Sequence, residues 1–286
     1  MRPSNLVGLA PLLRKAQEER YAVGAFNFCN AETAQAIVEE CCALRSPVVL
    51  MTGPWEIPLL GPRMMVDIAE SLASSAAVPV CLHLDHAWDV ELVPECIEAG
   101  FPSVMIDASR HDFEENVRLT RLVVEMAKAR GVDVEAELGS VGRADDLTVE
   151  GGEPSLTEPE RAAEFVERTG IQALAVAIGN AHGIYAQRPV LDFERLEAIR
   201  RATRVPLVLH GGSGTPADQL KRAIEAGICK VNVATELSRA YLGAVREVLS
   251  EKGYAVWYAH ALIEAKAAVA QVVRRWVQQL GCAGKA

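Results

Sequence analysis

The chain has 286 residues, half of them hydrophobic and only 5% aromatic, and its formal net charge is −9. This length fits one large domain or two small ones, and the aliphatic composition favours an α/β fold over an all-β fold. The acidic balance and the lack of a basic run argue against a nucleic-acid partner. We find no apolar run long enough for a membrane helix, no signal segment and no C-x-x-C pair among the seven cysteines, so we expect a cytoplasmic protein with reduced thiols and no membrane partner.

Predicted strands and helices alternate along the whole chain, after a short amphipathic helix over residues 6–19. The strands are mostly apolar, which is typical of parallel strands that are buried on both faces. They are predicted over residues 21–27, 48–51, 79–86, 102–107, 132–137, 174–182, 205–210 and 228–234. The helices are recognised by their caps and stop signals. They are predicted over residues 30–44, 63–76, 89–99, 112–130, 157–169, 192–202, 216–226, 235–252 and 259–279.

This alternation predicts an α/β fold, a (β/α)8 TIM barrel with a C-terminal helical extension. No shift in composition divides the chain, so we expect a single barrel domain over residues 1–286. A doubly wound open sheet is the alternative, but its dinucleotide-binding form needs a glycine-rich turn that residues 25–30 lack. Residues 139–156 carry four glycines and no hydrophobic period, which predicts a long functional loop.

Three predicted strands end in a histidine, at His86, His182 and His210. The carboxyl ends of barrel strands meet at one mouth, and three imidazoles with one open position are typical of catalytic zinc. These histidines therefore predict a shared metal site. Because no local motif such as H-E-x-x-H accompanies them, three unrelated polar strand caps remain an alternative. The other histidines are expected to pack inside a strand or to lie at the surface: His83, His111 and His260.

Carboxylates stand at the same strand ends. Asp85 directly precedes His86 and is a candidate general acid/base, with orientation of a histidine ligand as its alternative role. Neighbouring strand residues point to opposite faces, so both side chains serve one site only where the strand unwinds into its loop. Asp107 and Glu137 end the next two strands, where they could bind a second cation, orient water or simply be solvated.

Two loops carry small residues directly before a predicted helix, at residues 210–215 and 232–235. Small residues let backbone N–H groups approach an anion, and a helix N-terminus favours negative charge. Barrel enzymes often bind phosphate after their last two strands. The loops therefore predict a phosphate site, with ordinary loop chemistry as the alternative.

Six of these segments together resemble the zinc-dependent class II ketose-bisphosphate aldolases, and within that family the tagatose-1,6-bisphosphate aldolases. The resemblance extends almost from end to end of the chain. It implies reversible cleavage of a ketose 1,6-bisphosphate, either tagatose or fructose, to dihydroxyacetone phosphate and glyceraldehyde 3-phosphate. The segments that carry it are residues 83–86, 103–109, 134–139, 175–183, 209–214 and 230–237.

The resemblance also implies roles for individual residues. His86, His182 and His210 match the zinc ligands, and Asp85 matches the proton donor and acceptor on the C4 oxygen. Asp145 matches the loop acid that exchanges the C3 proton. The acids that match an alternative metal position are Asp107 and Glu137. The residues that match substrate and phosphate binding are Asn27, Gly183, Gly211, Gly212, Ser213, Asn232, Val233, Ala234 and Thr235.

The family further implies a monovalent cation, Na⁺ or K⁺, a homodimer or homotetramer, and a possible non-catalytic aldolase partner subunit. The chain departs from the family in four places, one of which is the segment after the second strand, residues 51–54, which lacks the serine that many fructose-bisphosphate members carry. Asp145 is one methylene shorter than the usual glutamate, Arg143 replaces a glycine, and Arg110 stands where a histidine is usual. Two other functions stay open: a non-catalytic sugar-phosphate-binding subunit, and a metal-free aldolase that forms a Schiff base at Lys230.

Overall fold

The computed structural model describes residues 3–143 and 155–286. Ten strands lie in these residues. They are β1 (Val23–Asn27), β2 (Val48–Thr52), β3 (Val80–Ala87), β4 (Ser103–Ile106), β5 (Asp133–Leu138), β6 (Gly142–Arg143), β7 (Ala173–Val176), β8 (Ala181–His182), β9 (Leu207–Leu209) and β10 (Ile228–Val233). Eight of the strands close into a barrel in the order β1, β10, β9, β7, β5, β4, β3, β2, with all neighbours parallel. The predicted TIM barrel is therefore confirmed.

Helices cover the outside of the barrel. They are α1 (Leu9–Glu19), α2 (Ala31–Ala43), α3 (Ile57–Ser75), α4 (Leu92–Ala99), α5 (Phe113–Lys128), α6 (Pro159–Thr169), α7 (Phe193–Ala202), α8 (Ala217–Glu225), α9 (Thr235–Lys252) and α10 (Tyr258–Gln279). Their inner faces and the barrel strands form one aliphatic core. None of the helices in the described ranges is long and apolar enough to cross a membrane.

The predicted C-terminal extension is α10, which packs against α2 and α9. Its Trp276 is fully buried, and the indole N–H donates to Glu236 over 3.0 Å. Arg274 reaches Glu40 of α2, with its Nε 2.6 Å from the carboxylate. These polar contacts fix the position of a helix whose apolar face completes the core.

Strand β3 changes direction at its end. Its pairing with β4 shifts register between Leu84 and Ala87, and His86 has a φ of 44°. A left-handed residue other than glycine is unfavourable for an ordinary strand. Here it turns His86 to the same side as Asp85, which is the unwinding that the two adjacent side chains require if they serve one site.

The predicted strand over 174–182 is wrong in its second half. The barrel strand β7 ends at Val176, and a turn precedes β8, which pairs with β6 in a separate two-stranded sheet. Gly179 has a φ of 96°, and the Asn180 side chain accepts from the Ile178 backbone N–H over 2.8 Å. Both residue types favour turns. The apolar residues on either side hide this turn from a pattern of hydrophobicity.

Helix α3 also begins earlier than predicted, at Ile57 rather than at residue 63. Gly61, with a φ of 77°, and Pro62 interrupt it, so that a separate helical turn precedes the predicted helix. In the long loop, Ser140 pairs with Ser155 as an isolated bridge.

Candidate active site

Three imidazoles converge at the mouth of the barrel. His86 lies at the end of β3, His182 ends β8, and His210 directly follows β9. The Nε2 atoms of His86 and His182 are 3.1 Å apart, and one ring nitrogen from each of the three lies within 4.8 Å of the others. The structure thus brings the three predicted zinc ligands around one common space.

Carboxylates behind two of these histidines determine which ring nitrogen is free. Asp107 Oδ2 lies 2.8 Å from His86 Nδ1, and Glu135 Oε1 lies 2.9 Å from His210 Nε2. Because a neutral imidazole donates its N–H to a carboxylate, we assign the protons to these nitrogens. In the neutral form that metal binding requires, His86 Nε2 and His210 Nδ1 then turn their lone pairs to the common space, whereas without a metal a proton can occupy this position on His86. Carboxylate–histidine pairs of this kind are usual behind metal ligands.

The atoms around the common space fit a metal cation. Within the described residues, His210 Nδ1 and Glu137 Oε2 are buried without a hydrogen-bond partner, and they lie 3.3 Å apart. The lone pair of His86 Nε2 faces His182 Nε2 at 3.1 Å. Electron-rich atoms this close repel one another unless a proton or a cation lies between them. Three imidazole nitrogens suit zinc, and His86, Asp107 and Glu137 offer a second possible ligand set.

Asp85 lies beside the imidazoles. Its carboxylate accepts from Asn232 Nδ2 over 3.0 Å. Gly53 allows close approach on the other side, because a Cβ there would lie 2.7 Å from the Asp85 carbonyl oxygen. Burial would raise the pKa of Asp85, but the positive charge at His86 and at neighbouring groups outweighs it and holds the pKa below its usual range. The side chain is therefore an ionised carboxylate that can accept a proton.

A group of polar side chains lies deeper in the barrel. We call it the inner polar layer; it consists of Lys230, Glu135, His83 and Ser103, all fully buried. Lys230 Nζ lies 3.1 and 2.9 Å from the two Glu135 oxygens. Burial would raise the pKa of Glu135, but Lys230 and the hydrogen bond from His210 hold it well below its usual range. A lysine bound to both oxygens of a buried carboxylate is a poor Schiff-base nucleophile, which argues against a metal-free aldolase.

The inner polar layer also contains a neutral histidine. His83 Nδ1 lies 2.8 Å from Ser103 Oγ. Burial and the charge of Lys230 lower the pKa of His83 to about 3. His83 therefore packs beneath the predicted metal ligands as a neutral side chain, in keeping with its expected supporting position.

The groups nearer the solvent form a mouth cluster, which we define as His86, His182, His210, Asp107 and Glu137. Burial and the charge of Asp107 raise the pKa of Glu137. Burial would lower the pKa of His86, but Asp85 and Asp107 raise it to about 10. An environment that favours a proton on this imidazole so strongly also favours a metal cation in the proton's place.

Small residues after β9 and β10 form a recess next to the imidazoles. Gly211 has a φ of 63°, and a Cβ there would lie 2.0 Å from the Ala181 carbonyl oxygen, so only glycine fits. Ser213 Oγ accepts from the Glu236 backbone N–H at the start of α9 over 3.2 Å. The first turn of this helix favours an anion. We call the recess the anion seat; it is lined by Asn27, Asp85, His182, Gly183, Gly211, Ser213, Asn232, Ala234 and Thr235.

Two predicted site residues, Gly212 and Val233, are not among the described residues that line this recess. The Gly212 N–H donates to the Asn232 carbonyl oxygen over 2.9 Å. Val233 is a buried β10 residue that pairs with Phe26 of β1. Gly212 and Val233 thus shape the wall behind the anion seat. Asp145 lies outside the described residues.

A larger cavity of about 200 Å³ lies over the mouth cluster, and the sequence prediction missed several of the residues that line it, among them three with large side chains. Trp55 and Glu56 follow β2, and Trp88 follows β3. Glu56 accepts from the Gly53 N–H over 2.9 Å, and burial together with Asp85 raises its pKa. These residues directly follow barrel strands, where barrel enzymes place their active sites, and this position could have identified them in the sequence.

Comparisons with known proteins point to one family over the whole chain. A profile of the family described as "Fructose-bisphosphate aldolase class-II" matches residues 7–285. The chain is 45% identical over 275 residues to the D-tagatose-1,6-bisphosphate aldolase subunit GatY of Klebsiella oxytoca, covering 96% of this chain and 97% of that one.

Solved structures agree with this match. The chain is 35% identical to the YdjI aldolase of Escherichia coli K12, with a TM-score of 0.84 and coverage of 98% and 99% of the two chains. Fructose-bisphosphate aldolase of Campylobacter jejuni is 24% identical, with a TM-score of 0.82 and coverage of 97% and 95%. At that identity the second likeness supports the fold alone.

Proposed function

Because the chain belongs to the class II fructose-bisphosphate aldolase family, we propose that it cleaves D-tagatose 1,6-bisphosphate reversibly to dihydroxyacetone phosphate and glyceraldehyde 3-phosphate. Membership makes the protein a lyase of the class II aldolase type. The name of the GatY relative supports the tagatose sugar. The observation that carries the proposal is the convergence of three imidazoles beside the ionised Asp85, next to a recess suited to phosphate.

His86, His182 and His210 would hold a zinc ion, because their ring nitrogens and the unpartnered atoms near them fit a cation. When bound there, zinc supplies a Lewis acid that polarises the substrate carbonyl and stabilises developing negative charge. Asp107 and Glu135 hold two of the imidazoles in the required tautomer.

We propose that Asp85 accepts the proton of the substrate C4 hydroxyl group during cleavage. As the carboxylate accepts it, the C3–C4 bond breaks, C4 becomes the aldehyde carbonyl carbon, and the bonding electron pair stays with the C3 fragment. Asn232 keeps the carboxylate in place through its 3.0 Å hydrogen bond. The proton that C3 then receives is assigned to Asp145 on the family resemblance alone.

The anion seat is proposed to hold the phosphate on C1. The first turn of α9 and the close-packed Gly211 suit an anion. Binding energy from this remote group positions the reacting carbons beside Asp85, so that it contributes to turnover as well as to affinity.

A cleavage assay on tagatose and fructose 1,6-bisphosphates tests the proposal. We expect cleavage of both sugars to be measurable and the tagatose rate to be the higher. Faster cleavage of the fructose sugar would reassign the substrate within the family. No cleavage of either sugar by a zinc-loaded protein would contradict the proposed reaction.

The Asp85→Ala variant tests the proton transfer separately. It should still bind the bisphosphate but lose most turnover, by about 10²- to 10⁴-fold, since that is the usual contribution of general acid–base catalysis. Retained turnover would remove Asp85 from its assigned role. Asp112→Ala serves as a control, because that carboxylate caps α5 on the outer surface.

We further propose that the protein forms a homodimer or homotetramer. Exposed apolar side chains around α9 and α10 support this assembly; they are Leu242, Tyr254, Trp257, Tyr258 and Ile263. The name of the GatY relative as a subunit supports an additional aldolase partner. A monovalent cation beside the anion seat is supported by Asn232 Oδ1, a buried oxygen without a hydrogen-bond partner in the described ranges.

A further inference from the structure

The side of the large cavity away from the anion seat is formed by three loops. Trp55, Trp88 and Arg110 follow β2, β3 and β4, which are neighbours in the barrel. The two indole rings contact edge to face, with centroids 5.7 Å apart. The Arg110 guanidinium carbon lies 5.4 Å from the centroid of the Trp88 ring. We call these three residues the distal wall.

Arg110 is distinguished by its charge. Among the described residues that line the cavity or the anion seat, it is the one lysine or arginine. No carboxylate in the described parts of the chain pairs with its guanidinium within 4.0 Å; its described contact is the indole of Trp88. Four carboxylates line the same cavity: Glu56, Asp85, Asp107 and Glu137. A second anionic group of a ligand would therefore find its one permanent cation at this arginine.

The position of Arg110 over the Trp88 ring suits this task. An arginine that lies over an aromatic ring keeps its N–H groups free at the edge of the guanidinium plane, where they bind carboxylate or phosphate oxygens in pairs. Trp55 and Trp88 add apolar surface that can cover the carbon chain leading to the anion. The wall thus combines an anion-binding group with a contact surface for a short chain.

The distal wall and the anion seat belong to one continuous space. The two cavities share Asn27, Asp85, His182, Gly183, Ala234 and Thr235. The reacting groups, Asp85 and the imidazoles, thus lie between a seat for one anion and a cation for another. The ligand that fits is a chain with a negative charge at each end.

We propose that Arg110, which lies over the Trp88 ring, binds the terminal anion on the aldehyde half of the substrate and so selects sugars that are charged at both ends. The inference deepens the proposed function and rests on it for the position of the bond that breaks. The anion is the second phosphate of a ketose bisphosphate or a terminal carboxylate on a ketose 1-phosphate.

Kinetics of Arg110→Gln on matched sugars test the proposal. The substrates are a ketose 1,6-bisphosphate, the same ketose 1-phosphate with a neutral end, and a ketose 1-phosphate with a terminal carboxylate. We expect kcat/KM for the sugar whose terminal anion is recognised to fall about 10- to 100-fold, the usual loss for a charged hydrogen bond. The value for the neutral-ended sugar should change less than about twofold.

The unsubstituted protein identifies the anion, because the doubly charged sugar with the higher kcat/KM is the one that Arg110 recognises. Arg110→Lys should restore part of the lost selectivity. Arg222→Gln is the matched control, because Arg222 also stacks on an aromatic ring, 4.0 Å from the centroid of Phe193, outside the cavity. It should leave all three values unchanged.

Equal losses on charged and neutral sugars, or no loss on any of them, would overturn the subsite. Titration calorimetry with the same sugars, carried out with and without Arg110→Gln in an Asp85→Ala background, measures binding without turnover. A protein that binds the doubly charged sugar through Arg110 but cleaves nothing would contradict the proposed reaction while supporting the subsite. Cleavage that does not depend on Arg110 would do the reverse.

Discussion

The inner polar layer and the mouth cluster lie next to each other in one barrel but differ in how their polar atoms are paired. In the inner layer, Lys230 binds both oxygens of Glu135, and His83 Nε2 is the one side-chain nitrogen of the described layer without a hydrogen-bond partner. In the mouth cluster, Glu137 Oε2 and His210 Nδ1 are both unpartnered.

Two carboxylates of β5 show the consequence. Glu135 and Glu137 are two residues apart, and both are buried. Lys230 outweighs burial and lowers the pKa of Glu135, whereas burial and Asp107 raise the pKa of Glu137. The difference teaches that most polar groups of the inner layer are paired within the protein, whereas the mouth cluster has unpartnered atoms that a bound cation would satisfy.

Removing a proposed metal ligand from the mouth cluster should have the largest effect on function. We expect His182→Ala to lose its zinc and at least about 1,000-fold in turnover, because a Lewis acid contributes several kcal/mol to such a reaction. Metal analysis and steady-state kinetics measure both quantities. His111→Ala, at an exposed histidine, is the control. A full zinc load in His182→Ala would exclude this histidine as a ligand.

Breaking the inner layer should instead reduce stability. Lys230→Met leaves Glu135 as an uncompensated buried charge, and we expect the free energy of unfolding to fall by about 3–5 kcal/mol. Urea denaturation in the presence of a chelator measures this change without a metal contribution. The double variant Lys230→Met with Glu135→Gln should be more stable than the single one, because the buried charge is gone. The opposite order would contradict the role of the ion pair.

Asp107 belongs to the mouth cluster, but unlike Glu137 Oε2, its Oδ2 atom has a hydrogen-bond partner, the Nδ1 of His86. Its removal in Asp107→Ala should weaken zinc binding about 10- to 100-fold, the usual loss when the partner behind a histidine ligand is removed. Competition with a coloured chelator measures the affinity. Unchanged affinity would show that His86 holds its orientation without this carboxylate.

The pH dependence of stability should reveal that the buried His83 of the inner polar layer stays neutral in the folded protein. Its pKa is about 3 when folded and about 6.5 when unfolded. Between these values the unfolded chain binds a proton that the folded chain does not, so stability falls as the pH is lowered through this window. The loss from this group should be about 1 kcal/mol at pH 5.5.

The variant His83→Gln should lack this loss. Denaturation of both proteins at pH 7.5 and 5.5 gives the two differences in unfolding free energy. Equal acid sensitivity of the two proteins would show that His83 does not stay neutral in the fold.

The barrel and the convergence of the three histidines could both be predicted from the sequence. Apolar strands separated by capped helices predict the barrel, and histidines at strand ends predict their convergence, because parallel strands end at one mouth. What hydrophobicity cannot show is local backbone geometry. The turn at Gly179 and Asn180 that separates His182 from its barrel strand lies inside an apolar run, and the left-handed His86 depends on a register shift between β3 and β4.

The ion pairs between distant residues could not be predicted from the sequence either. Lys230 and Glu135 are 95 residues apart in the chain, and their contact exists only because β5 and β10 face each other inside the barrel. The distal wall was missed because tryptophans are usually core residues, whereas Trp55 is 63% exposed at the mouth. Charge and stacking across separate loops require coordinates.

The central claim is that the mouth cluster is completed by a metal that the reaction needs. The most direct test follows zinc content and tagatose 1,6-bisphosphate cleavage in one sample through chelation and zinc addition. We predict that cleavage disappears with the metal and returns with equimolar zinc, while the fold persists throughout. Cleavage that continues at full rate after the metal has been removed would contradict the account.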